Sequence, residues 1–168
     1  KYNDTIVSEV SSAQMILNHN FKPKYCAILN ITPNHIDYHG TFENYVEAKL
    51  NITKYQTQDD YLLVPYVDWA IEINTNAKKI YFNINLSNNC CYLIKNKAYL
   101  NINNQISNIF EIKKNNLLGE HNLINILVAG TIAHLDGKNK KEIENMISQF
   151  KPIEHRLEYV KTIKNIDF

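Results

Sequence analysis

Tyr25-Cys26-Ala27-Ile28-Leu29-Asn30-Ile31-Thr32-Pro33-Asn34-His35-Ile36-Asp37-Tyr38-His39-Gly40-Thr41 passes from an apolar, partly β-branched run into a polar loop within a few residues. Residues 25–31 are predicted to form a strand, which Pro33 stops because a proline has no amide to give a ladder. The loop that follows carries two imidazoles and a carboxylate, His35, Asp37 and His39. In open α/β sheets ligands bind in the crevice beyond the carboxyl ends of strands. On the loop alone, a polar connection whose histidines cap nearby backbone groups is the favoured reading.

Outward from this run the pattern alternates. Thr41 is a good N-cap with Asn44 three residues on, and Phe42, Tyr45, Val46, Lys49, Leu50 and Ile52 recur at helical spacing, predicting a helix to about Tyr55. Upstream, residues 5–10 read as a buried strand. Downstream, strands at 60–66 and 79–84 flank a short helix at 69–73. Two alternating runs, 91–94 and 98–102, flank Lys95-Asn96-Lys97 and predict a hairpin. Residues 121–135 form an apolar helix closed by Asp136-Gly137, and 140–150 an amphipathic one with Ile143, Met146, Ile147 and Phe150 on one face. Residues 157–163 return to strand, paired with 166–168. The expected fold class is α/β: a mostly parallel sheet flanked by helices, with a small antiparallel β-hairpin portion.

The chain of 168 residues, 45% hydrophobic and 21% charged, suits one domain with a real core. Eighteen basic and seventeen acidic residues leave a net charge of +1, which argues against nucleic acid and acidic membrane surfaces as partners. Apolar runs fall far short of the roughly 18 residues of a membrane span. Cys26, Cys90 and Cys91 offer no CxxC pair, and a vicinal pair closes a disulfide only with distortion, so a reducing cytoplasm is expected.

Several residues are odd on physical grounds. Tyr45, Lys49 and Ile52 place an ammonium on a largely apolar helix face. Lys49 either snorkels to water along its stem or is a desolvated amine open to modification and phosphate contact. Glu9 stands in an otherwise uncharged run and needs a cation, a donor or water; a Mg²⁺ takes such oxygens. Asn122 and Asn125 sit at the start of the apolar helix, where amides can read an adenine edge or cap the helix. The four glycines, at 40, 119, 130 and 137, form no GxxxxGK[ST] phosphate loop.

Taken in order, Glu9-Val10-Ser11-Ser12-Ala13-Gln14-Met15, the run from Asn30 to Thr41, Tyr45 to Lys49, Gly119-Glu120-His121-Asn122 with Asn125, and Glu154-His155-Arg156-Leu157-Glu158 are similar to the motifs of the Mur ligase family. The resemblance covers nearly the whole chain and is nearest to the D-glutamate-adding branch, through Tyr55-Gln56-Thr57-Gln58-Asp59-Asp60 and Ile153-Glu154-His155-Arg156. It implies an ATP-dependent amide-bond ligase of peptidoglycan precursor synthesis. In that family ATP phosphorylates the carboxylate of UDP-MurNAc-L-alanine, and the D-glutamate amine attacks the acyl phosphate. By position, Glu9, His35 and Lys49 are the implied catalytic and metal-site residues around Mg²⁺, with Lys49 as a carbamate. Asn122 and Asn125 are implied to contact adenine, Arg156 the ATP ribose or phosphates, and Ser11 with Gln14 the muramoyl substrate. The implied protein is monomeric and cytoplasmic.

Departures from the family pattern fall at Asn34, where aspartate is frequent, at Ala13, where an aromatic is usual, and at Lys151-Pro152. The resemblance also implies that residues 1–168 are part of a central ATP-binding domain, with the phosphate loop ahead of Lys1 and the amino-acid-binding domain after Phe168. The chain alone is therefore expected to be inactive. Diaminopimelate- or lysine-adding ligases and folylpolyglutamate synthetases share the pattern in part. A non-catalytic Mur-like partner module is the reading from another class.

Overall fold

Leu62, Leu63 and Val64 are completely buried, and this unbroken apolar run is what a strand covered on both faces requires. The computed structural model describes residues 5–113, 119–151, 162, 163, 166 and 167. Two compact units divide the chain, Lys1–Lys79 and Ile80–Phe168.

In the first unit, α1 (Ser12–Ile16), β1 (Tyr25–Ala27), α2 (Ile36–His39), α3 (Phe42–Leu50), β2 (Tyr61–Pro65) and α4 (Asp68–Ile71) follow one another, and β3 (Lys78–Phe82) leads onward. β1 runs parallel to β2, with Tyr25 opposite Tyr61 and their rings stacked at 5.7 Å. The expected strand at 25–31 is shorter than its composition suggests. Beyond Ala27 only Ile28 still donates to β2, to the carbonyl of Leu63, and the chain then turns away.

Residues 5–10 correct the sequence expectation. They make no ladder, and Ile6 and Val7 are 86% and 93% exposed. β-propensity describes how a side chain fits a sheet surface, and without a neighbouring strand it forms none. The helix predicted to reach Tyr55 ends as α3 at Leu50. Thr41 Oγ1 caps its start by accepting from the Asn44 amide, and residues 51–53 tighten into a 3₁₀ turn, with Thr53 Oγ1 donating to the Leu50 carbonyl at 2.9 Å. The short helix also stops early, at Ile71, where Lys79 Nζ donates to the carbonyls of Ile71 and Ile73 and closes its negative end.

Asp60 secures the loop before β2. Its carboxylate accepts from the Thr57 amide at 2.7 Å and hydroxyl at 2.9 Å and pairs with Lys22 at 3.1 Å. Burial pushes this carboxyl up, but the Thr57 donors and the Lys22 ammonium outweigh it and hold the pKa below its ordinary value. Because the folded pKa is the lower one, this stabilisation is present above the unfolded value of about 4 and is lost as pH falls through the folded value. Asp60→Ala is therefore expected to cost about 1–3 kcal/mol at neutral pH, and less in acid, as read by urea denaturation at pH 7 and pH 3.

In the second unit, the end of β3 pairs parallel with β4 (Cys90–Ile94), which pairs antiparallel with β5 (Lys97–Ile102). The predicted hairpin is present, and it extends into a meander through β6 (Gln105–Glu111), a strand the sequence reading missed. Asn103 and Asn104, both with positive φ, make the two-residue turn into β6, and asparagine tolerates this conformation better than most residues. α5 (Glu120–Leu135) packs on β4 and β6, and α6 (Lys140–Gln149) packs on β6. Glu144 of α6 accepts from the Glu111 amide and from Lys113. The vicinal cysteines are free and buried, and burial pushes the Cys91 thiol up to about 12. β7 (Thr162–Ile163) and β8 (Ile166–Asp167) pair antiparallel. No helix among the described residues is long and apolar enough to cross a membrane.

Candidate functional site

Beyond the carboxyl end of β1 the chain opens a cleft of about 550 Å³, lined by the start of α1, the loop from Asn30 to His35, and the inner faces of α2 and α3. Ser11, His35 and Lys49 all face it. These residues lie 38 positions apart at the extremes and are gathered because α1 and α2 both pack against α3.

Lys49 is half-buried. Its stem crosses Tyr45, with Nζ 5.1 Å from the ring centroid, and Nζ donates to the Asn30 carbonyl at 3.2 Å. The stem packs as a snorkelling lysine does, and the side chain lines the cleft. The cation–π contact and the carbonyl together hold one rotamer of a flexible side chain.

His35 is exposed and caps α2 from the left-handed region, φ 52° and ψ 32°. A residue other than glycine reaches that region at some cost, and histidine is among those found there more often. The Asn34 side chain stabilises the bend by accepting from the His35 amide at 2.9 Å. The aspartate frequent at that position in the family would accept the same bond.

Glu9 is exposed and lies in no helix or strand. It lines a neighbouring cleft of about 330 Å³ with Gln14 and Met15, and Val10 belongs to both clefts. Ser11 and Gln14 form a reciprocal capping box on α1: Ser11 Oγ accepts from the Gln14 amide at 3.3 Å, and Gln14 Oε1 accepts from the Ser11 amide at 2.8 Å. Their side chains already have a local task.

In the second unit, Asn122 and Asn125 lie on the first turns of α5, with Asn125 Nδ2 3.4 Å from Asn122 Oδ1. The N-cap of the helix is Gly119, at φ 92°. Arg156, with Glu154 and His155, lies outside the described residues. Among the described residues no three His, Cys, Asp or Glu side chains converge as a metal-holding group.

The sequence reading undervalued His39. It is buried, with Nε2 3.0 Å from Ser12 Oγ, and its ring meets Tyr45 edge-on. Its sequence signal was only a second imidazole one helical turn after His35.

The Mur ligase middle domain matches residues 1–133. The chain is 37% identical over 169 residues to the UDP-N-acetylmuramoylalanine–D-glutamate ligase of a Thermoanaerobacter species, covering 98% of this chain and 37% of that protein. It is 36% identical over 170 residues to the protein of the same name from Caldanaerobacter subterraneus, covering 99% of this chain and 37% of that protein. The chain thus spans 37% of the length of these curated relatives. Among solved structures, MurF from Acinetobacter baumannii superposes with a TM-score of 0.62 at 20% identity, over 85% of this chain and 32% of that one. MurF from Thermotoga maritima, in complex with ADP, gives 0.56 at 14% identity, over 83% of this chain and 33% of that one. These likenesses show a shared fold. With the family match running through residues 1–133, the chain belongs to the Mur ligase family and carries its middle domain.

Proposed function

We propose that the full-length protein is the ATP-dependent ligase that joins D-glutamate to UDP-MurNAc-L-alanine in peptidoglycan precursor synthesis, acting in the cytoplasm through an acyl phosphate. The observation that carries this is the 36–37% identity to D-glutamate ligases along essentially the whole chain. The cleft that gathers Ser11, His35 and Lys49 supports it.

A Mg²⁺ would draw on donors from two neighbouring clefts, Glu9 lining one and His35 with Lys49 the other. That ion favours one or two carboxylates with water and substrate phosphates over an all-protein cage, so a three-residue cluster is not required. Glu9 offers a carboxylate and His35 an imidazole. The Lys49 ammonium would repel the ion, but its neutral amine adds CO₂ and releases a proton, becoming an anionic carbamate. The nitrogen keeps one N–H, so the bond to the Asn30 carbonyl can persist. The chemistry a bound Mg²⁺ supplies is neutralisation of phosphate charge during transfer. The chain's own part is positioning: Lys49 and His35 are held by Tyr45, Asn30 and the α2 cap, while Asn122, Asn125 and Arg156 serve ATP and the start of α1 serves the muramoyl end.

The test is phosphate release by the full-length protein with ATP, UDP-MurNAc-L-alanine and a panel of amino acids. Release confined to D-glutamate is expected. Release only with lysine or diaminopimelate on a longer precursor would move the protein to a sister ligase, and none with any pair would make it a partner module.

A further inference from the structure

Several fixed points of the cleft meet at one buried side chain in its wall. His39 ends α2 and is 8% exposed. Its backbone N–H donates to the His35 carbonyl at 3.0 Å. Its Nε2 lies 3.0 Å from Ser12 Oγ, at the start of α1 beside Ser11. Its ring meets Tyr45 at 5.4 Å and 67°, and Tyr45 in turn carries the Lys49 ammonium. Asn44 Nδ2 holds the loop from the other side by donating to the His39 carbonyl at 2.9 Å.

We propose that His39 is a positioning residue of the ligase: from the junction of α1, α2 and α3 it sets where Lys49 and His35 stand in the cleft. This rests on the function proposed above. The junction needs two properties in one side chain. The Ser12 hydroxyl is buried and requires a polar partner, and the Tyr45 face or edge requires a flat ring whose angle it can fix. Phenylalanine supplies only the ring and glutamine only the polar group; imidazole supplies both.

The experiment is steady-state phosphate release by the full-length protein, with folding followed by circular dichroism and melting. His39→Ala is expected to lower kcat by about tenfold or more, while KM for ATP and D-glutamate stays within about twofold, because small misplacements act on the reacting geometry more than on binding. His39→Phe and His39→Gln should each restore part of kcat. If His39 acts through Tyr45, the Tyr45→Leu/His39→Ala double variant should fall no more than about twofold below the worse single. The proposal is overturned by a folded His39→Ala with kcat within about twofold of wild type, by a KM rise with unchanged kcat, or by losses that multiply in the double variant. If His39→Ala does not fold, Ser12→Ala decides: a drop in kcat of about threefold supports the proposal, and an unchanged kcat overturns it. A wild type inactive with every amino acid overturns the proposed function and this inference together, whereas an active wild type with indifferent His39 variants overturns this inference alone.

Discussion

Lys49→Ala in the full-length protein is expected to reduce D-glutamate-dependent phosphate release by about 10²–10³-fold, the usual cost of removing one preorganised charge-stabilising group. The fold should survive. Alanine is the best helix former, the position lies in the last turn of α3, and the lost contact over Tyr45 is worth about 0.5–1 kcal/mol at a half-exposed site. The effect should therefore appear in kcat with little change in melting temperature. Lys49→Arg separates two roles. It keeps the positive charge over Tyr45 but has no amine that can take up CO₂, so it should be about as inactive as Lys49→Ala if a carbamate is the working form. An arginine variant within about tenfold of wild type would mean that Lys49 serves as a cation, and the carbamate would be withdrawn.

Gly130→Ala is expected to destabilise the protein by about 1–3 kcal/mol, a loss visible in thermal or urea melts. The sign is informative, because glycine to alanine in a helix interior ordinarily stabilises by about 1 kcal/mol. Here a Cβ at position 130 would stand 2.4 Å from Phe110 Cε1 and 2.6 Å from Cζ, and Phe110 is completely buried against α5. A fully buried ring retreats only by displacing its neighbours, since protein interiors are packed like organic crystals. Adding Phe110→Leu to Gly130→Ala removes the colliding ring edge and should recover part of the loss. A single variant as stable as wild type would show that β6 and α5 can move apart at this point.

Legibility of the chain followed the range of the forces involved. Helices α3, α5 and α6 were readable because their signals are local: Thr41 with Asn44 and helical spacing for α3, a long apolar run closed by Asp136-Gly137 for α5, and one apolar face for α6. The hairpin was readable for the same reason, through two alternating runs either side of a tight turn. Residues 5–10 misled because a strand is a relation between two segments, and their β-branched composition says nothing of a neighbour. β6 was overlooked because Gln105, Ser107 and Asn108 dilute its alternation, while its pairing with β5 and the Phe110 contact with α5 secure it from outside the segment.

The site divides along the same line. The sequence by itself determined the family, through ordered motifs, and it marked Lys49 as a lysine out of place on its helix, because residue type and helical spacing are properties of a few consecutive positions. It also determined that the histidine loop follows a strand, where α/β folds bind ligands. Only the tertiary structure decided that Ser11, His35 and Lys49 share a cleft, that Glu9 stands exposed in a neighbouring one, and that His39 joins three helices in the cleft wall. Those facts depend on how α1 and α2 pack on α3, and packing is set by contacts between residues that the chain brings together only once it has folded.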